Sequence, residues 1–125
     1  MNSPLQHDVP TSRFAAVALK MIIDNPIKAE TPSGRMKQIG LLTILYHMLS
    51  NRIELTANNV VQWSGVTRAA LRQIIDPLIA RGLIAEDRGQ PNPKGGGFVL
   101  TYRISDRLLD QIGNPNGAGR KAHRT

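Results

Sequence analysis

Arg68 and Arg72 stand four residues apart, with Thr67, Ala69 and Gln73 beside and between them. On a helix that spacing places both guanidinium groups on one face. A guanidinium offers paired N–H donors that match two acceptors on one edge, such as the O6 and N7 atoms of guanine. Gln73 can pair with adenine in the same two-point manner, and the Thr67 hydroxyl can donate to a phosphate or a base. Ala69 is small enough to admit a close approach or to touch a thymine methyl. Those residue types in that order suit the reading of base edges in duplex DNA. The plainer alternative for them is a solvated, charged helix face. Two further cations, Arg88 and Lys94, flank RGQPNPK with no acid between them, and Arg120, Lys121 and Arg124 sit in the terminal GRKAHRT. Such groups neutralise phosphate and position a protein without reading sequence, and the alternative for the first pair is a surface loop.

The bulk charge agrees with polyanion binding. Sixteen Lys and Arg against nine Asp and Glu leave a formal +7 over 125 residues, and a basic balance of this size concentrates a protein around nucleic acid first and anionic membrane second. The residues that would support catalysis are missing or scattered. His7, His47 and His123 fall in three separate regions, and there is no cysteine, so neither metal-ligand spacing nor thiol chemistry is available. Asp106 and Asp110 are the carboxylate pair at helical spacing, but Arg103 and Arg107 beside them make a charge-balanced surface the simpler reading. No serine or threonine sits in a nucleophile elbow. The expectation is a protein that is not an enzyme and uses no cofactor and no metal. No apolar run approaches the roughly 18 residues of a bilayer span, and the start, MNSPLQHDVPTSR, lacks a secretory pattern. A cytoplasmic, nucleoid-associated protein with no membrane partner is expected.

Periodicity supplies the elements that would carry these residues. Residues 1–10 hold two prolines without periodicity and read as an extended arm. Thr11 or Ser12 can cap a first helix whose Phe14, Val17, Ala18, Met21 and Ile22 recur at three- and four-residue steps, with Pro26 stopping it. NPIKAETPSG is a connector in which Ser33 or a neighbour can initiate the next helix, over about 35–50. That second helix carries two apolar stripes, Ile39, Leu42, Leu45, Tyr46 and Leu49, and Leu41, Ile44 and Met48. A helix apolar on two sides is buried between elements or offers one side to a second subunit. Gly40 within it suggests close approach of another backbone. Ile53–Leu55 is a candidate strand, and Thr56 caps a helix over 57–63 with Val60, Val61 and Trp63 inward. Ser64-Gly65-Val66 is a turn, with Gly65 suited to a left-handed helix end. Thr67 caps the next helix, which buries Val66, Leu71, Ile74 or Ile75, and Leu78 and ends at Gly82. Leu83-Ile84 begin a strand, Asp87–Gly97 form a long turn, and 98–104 alternate as a half-buried strand. Ser105 caps a brief helix ending at Gly113, and residues 114–125 form a basic tail expected to be disordered when unbound.

The segment SGVTRAALRQIIDPLIARGLI resembles the helix-turn-recognition-helix core of bacterial winged-helix transcriptional regulators, the MarR-like group among them. The matching positions are Gly65, Thr67, Arg68, Leu71, Leu78, Gly82, Leu83 and Ile84. With the hairpin included, the resemblance covers residues 56–104. It implies an α+β, mainly α, winged helix-turn-helix: a three-helix core with a β-hairpin wing, here preceded by an N-terminal helix, in a domain over 11–113. It also implies sequence-specific binding to double-stranded DNA, with the recognition helix in the major groove and the wing on flanking backbone or minor groove. Expected contacts are Thr67, Arg68, Ala69, Arg72, Gln73, Arg88, Lys94, Arg120 and Lys121. Two departures stand out. MarR-like proteins close with long dimerising helices, whereas this chain has room for about two turns after the wing, which leaves a homodimer to the N-terminal helices or a monomer. Pro77 falls inside the recognition helix, where proline costs about 3 kcal/mol, or else Asp76-Pro77 starts a new helical segment. A plasmid or phage replication or partition protein, a winged helix that binds protein, and a small-molecule sensor are the competing readings.

Overall fold

Short polar side chains set where four of the helices begin. In the computed structural model, which describes residues 4–91, 93, 95 and 97–113, the Thr31, Thr56 and Thr67 hydroxyls accept the backbone N–H of Gly34, Asn59 and Ala70 at 2.9, 3.1 and 3.0 Å. Ser105 does the same for Leu108 at 3.2 Å. Each satisfies one of the donors that a helix start leaves unpaired. The helices so begun are α2 (Pro32–Ser50), α3 (Ala57–Ser64), α4 (Arg68–Ala80) and α5 (Asp106–Gly113). A longer helix, α1 (Pro4–Ile23), precedes them, and the strands β1 (Ile84–Pro91) and β2 (Phe98–Ile104) lie between α4 and α5. The described chain is therefore mainly helical with one two-stranded antiparallel hairpin, the mainly α, α+β class expected.

Several local expectations are corrected. The arm expected over residues 1–10 is helical from Pro4 onward as the first part of α1. Once the buried Phe14–Ile22 stripe holds a helix in place, each further residue adds one hydrogen bond as the helix extends. Of Ser33 and its neighbours, Thr31 is the residue that caps α2, with Pro32 at its first turn, and the helix begins before the expected residue 35. Residues 53–55 form no strand. What remains is a single bridge between Thr56 and Thr101 and the Tyr102 N–H donating to the Leu55 carbonyl at 2.8 Å, because three residues between two helices leave room for little pairing. Pro77 does not divide α4, which runs unbroken from Arg68 to Ala80. β1 continues to Pro91, past the Asp87 where a turn was expected, with an irregularity between Arg88 and Pro91.

The core forms where the stripes meet. Phe14, Ala18 and Ile22 of α1 are buried, and the Phe14 ring stacks on Tyr46 of α2 at 4.3 Å. α2 buries Leu42 and Leu45 from one stripe and Leu41 and Met48 from the other, while Leu49 stays exposed. Among the described residues nothing lies within 4 Å of where a Cβ at Gly40 would stand, so none of them makes the close approach expected there. Leu71, Ile74, Ile75 and Leu78 of α4 close the core from below, with Leu83, Ile84, Tyr102, Ile104 and Leu108. Trp63, expected inward, is 47% exposed and lies tilted against His47.

Candidate nucleic-acid interface

α3 and α4 are joined by a corner of three residues. Gly65 adopts φ 78°, and its N–H bonds the Val61 carbonyl at 2.9 Å, ending α3. Left-handed backbone costs an L-residue about 1–2 kcal/mol and glycine almost nothing. The corner lets Val66 tuck inward and Thr67 start α4. The first turns of α4 then stand clear of the subunit: Thr67, Arg68, Ala69 and Gln73 are exposed, and Ala70 is half-buried. With its oxygen engaged as the cap, the Thr67 hydroxyl keeps its proton for an outside acceptor. The helix start also presents unpaired N–H groups and the positive end of the dipole.

The two arginines of this face are held differently. Arg68 is exposed and donates through Nη2 to Oδ1 of Asn58 on α3, a neutral partner, and it makes no ion pair among the described residues. Arg72 is engaged by acids. Its Nη1 donates to Asp76 Oδ1 at 2.8 Å and to Glu86 Oε1 at 3.2 Å, and its Nη2 pairs with Glu86 Oε2. Hydrogen bonds donated to Glu86 first and to Asp76 second hold the Arg72 guanidinium well above its ordinary pKa. The sequence reading assigned Arg72 to a guanine edge; in the folded subunit its two Nη atoms make a two-point grip on Glu86 that ties α4 to β1. Glu86 pairs across the hairpin with Tyr102. Burial first, and the Glu86 charge second, push the Tyr102 hydroxyl up to about 12, so it stays protonated beside the grip.

The hairpin brings a second group to the same side. Ile84, Glu86 and Arg88 alternate onto one face of β1, opposite Ile104, Tyr102 and Leu100. Farther out, Arg88 lies over the Phe98 ring at 5.3 Å from its centroid, and Phe98 is 49% exposed. Asn58, Arg68, Phe98 and Leu100 line one small hollow where α3, α4 and β2 meet. The structure thus brings Arg68 of the expected set close to the aromatic on which Arg88 rests. On the other side of the sheet Arg103 meets Asp87 at 3.5 Å. Lys94, Arg120 and Lys121 lie outside the described residues.

Three participants escaped the sequence reading. Asn58 carries no pattern that links it to Arg68 ten residues later. Phe98 was read only as one residue of a half-buried alternating strand, and no aromatic surface was expected where it stands exposed. Glu86 was not weighed, although one acid near the start of a strand after a helix bearing arginine was the available signal.

Behind this surface, Arg81 anchors the end of α4. Its side chain is 2% exposed and donates to Glu30 at 2.5 and 2.7 Å, to the Asn25 carbonyl at 2.9 Å and to Gln38 at 2.5 Å. The Arg81 hydrogen bonds, opposed by burial, hold the Glu30 carboxyl down at about 2. This cluster fixes the segment between α1 and α2 against α4.

No family model, curated protein or solved structure matches this chain. Among the described residues no helix is long and apolar enough to cross a membrane, and no three His, Asp or Glu side chains gather as they would around a metal ion.

Proposed function

We propose that this chain binds duplex DNA through a winged helix-turn-helix of the kind found in the bacterial regulators its 64–84 segment resembles, and that it regulates transcription. The observation that carries the reading is the exposed, acid-free start of α4. Thr67, Arg68, Ala69 and Gln73 stand outward directly after a left-handed glycine corner, with an antiparallel hairpin bearing Arg88 on the same side. Major grooves admit a helix, and residues near its N-terminus reach the base edges. In this arrangement Arg68 and Gln73 read bases, Thr67 and Arg88 hold phosphate, and Ala69 permits the approach. Arg72 keeps α4 at a fixed angle to β1 instead of reading. Leu19 and Ile23, four residues apart on α1 and 41% and 57% exposed, offer an apolar edge through which two copies can pair. Such a dimer would set its two α4 helices about 34 Å apart, one turn of duplex.

The test is equilibrium binding of a labelled duplex across a salt series. Log affinity should fall linearly with log salt, by about 0.9 for each phosphate neutralised. A flat response, or a neutral polymer bound as well as DNA, would overturn the reading.

A further inference from the structure

Phe98 stands where the hairpin is irregular. β1 spends one residue more between Arg88 and Pro91 than β2 does between Leu100 and Phe98, and an extra residue of this kind bends a strand and re-aims the side chains beside it. The Phe98 ring stays 49% exposed, with the Arg88 guanidinium over it at 5.3 Å from the centroid. Single exposed apolar residues are ordinary, and Met36 and Leu49 are two others on this surface. Phe98 differs from them in its company. It shares a hollow with Asn58 and Arg68, beside the outward start of α4. Neither Arg68 nor Arg88 makes an ion pair among the described residues. The hollow itself measures about 20 Å³, room for a water and far below the size of a small-molecule site. What this corner offers is therefore a surface: a flat ring, a flat cation and no competing acid.

We infer that Phe98 and Arg88 form a stacking platform for one unpaired base of DNA, next to the paired segment that α4 occupies. The inference rests on the proposed function, which supplies that paired segment. Bases stack on aromatic rings and on arginine planes. A guanidinium lying flat on a ring still has its edge donors for a phosphate, so Arg88 can cover Phe98 and hold the adjoining backbone at once. A ring that wedges between two paired steps needs both of its faces. Here Arg88 lies over one face, so the platform takes a base from one side only. A paired base gives up its stacking and its partner to reach such a surface, and an unpaired base has less to lose. Phe98 carries no polar side-chain atom, so the platform accepts any base, as stacking sites do. In this arrangement α4 selects the paired sequence and the hairpin selects a local defect or opening beside it.

The probe is a short fluorescently labelled duplex of one sequence in three forms: fully paired, with one extra unpaired thymine at its centre, and with an abasic residue in place of that thymine. Anisotropy reads binding to the full chain. Wild type should prefer the thymine bulge over the paired duplex by about tenfold, the size of one base–aromatic stack. The abasic form keeps the extra backbone and lacks the base, so it should bind no better than the paired duplex. Phe98→Leu keeps apolar bulk without a flat face and should bind all three forms alike, with its affinity for paired duplex unchanged. Phe98→Tyr should recover the preference, and Met36→Ala, an exposed apolar residue on α2, should leave it untouched. Equal affinity of wild type for bulged and paired DNA would overturn the platform and leave the proposed function standing. So would a preference that extends to the abasic form or survives Phe98→Leu, since the bend of bulged DNA would then explain it. Binding to the thymine bulge with these dependences, and none to paired duplex, would uphold the platform and sink the duplex reading. Binding to none of the three would sink both.

Discussion

Replacing Glu30 by Gln removes the charge that compensates Arg81, a guanidinium with 2% of its side chain exposed against a carboxylate with 7%. Breaking a buried pair costs about 3–5 kcal/mol because the remaining charge is left in low dielectric. Gln keeps the shape and one acceptor, and the Asn25 carbonyl and Gln38 still receive Arg81, so the loss at neutral pH should fall somewhat below that range, at about 2–3 kcal/mol. The same pair has a pH signature. The Glu30 carboxyl is held at about 2 instead of 4.5, and a depressed carboxylate stabilises the fold above its unfolded value and loses that contribution as pH falls. The contribution is thus complete above about pH 4.5 and fades toward pH 2. At about 1.4 kcal/mol per unit the shift corresponds to roughly 3 kcal/mol as an upper bound, and screening near the surface of a small domain reduces it to about 1–2. Urea unfolding of wild type and Glu30→Gln, at steps from pH 7 to pH 2.5, measures both effects. The gap between the two proteins should be widest at pH 7 and narrow through the acid range. A variant within about 0.5 kcal/mol of wild type at pH 7, or a gap independent of pH, would refute the assignment of Glu30 as the partner that makes burial of Arg81 tolerable.

Gly40→Ala should stabilise the protein by up to about 1 kcal/mol, since the added methyl meets open space on a helix; a lower melting temperature would mean that something packs there. Glu86→Gln should cost about 0.5–1 kcal/mol in thermal unfolding, because Arg72 is 41% exposed and its ion pair is partly screened; no loss would remove the grip between α4 and β1. Arg68→Ala should relax preference at one base pair by about 1–3 kcal/mol. Arg88→Ala should weaken all sequences alike and lower the salt slope by about one. Identical behaviour of those two variants in competition binding would abolish the division between reading and positioning residues.

Where the chain punctuates itself with side chains of one evident use, the sequence was legible. Thr56, Thr67, Ser105, Gly65 and Gly82 act where expected, because caps and left-handed ends depend on local chemistry alone. The inward stripe of α4 was equally plain, since burial follows the 3.6-residue period. Proline misled in the N-terminal segment, where the helix continues through Pro10, because packing along the rest of an element can outweigh one lost donor; of the two alternatives at Pro77, the unbroken helix is the one found. Gly40 misled in the opposite direction, as a residue without a side chain cannot announce whether anything lies opposite it. The pairings of Arg68 with Asn58, Arg72 with Glu86 and Arg81 with Glu30 span 10, 14 and 51 residues, and no short-range pattern encodes which acid or amide a given arginine will meet. That is why the face of α4 could be read as cationic while the commitment of Arg72 to Glu86 could not.

The central claim, that the outward start of α4 reads base edges, is tested most directly by selecting bound sequences from a random duplex library with wild type and Arg68→Ala in parallel. Wild type should enrich a defined motif, and Arg68→Ala should lose preference at one base pair of it while keeping the rest. Enrichment at no position, at a salt concentration where binding is still measurable, would contradict the claim and leave the surface of Thr67, Arg68 and Gln73 as solvated charge.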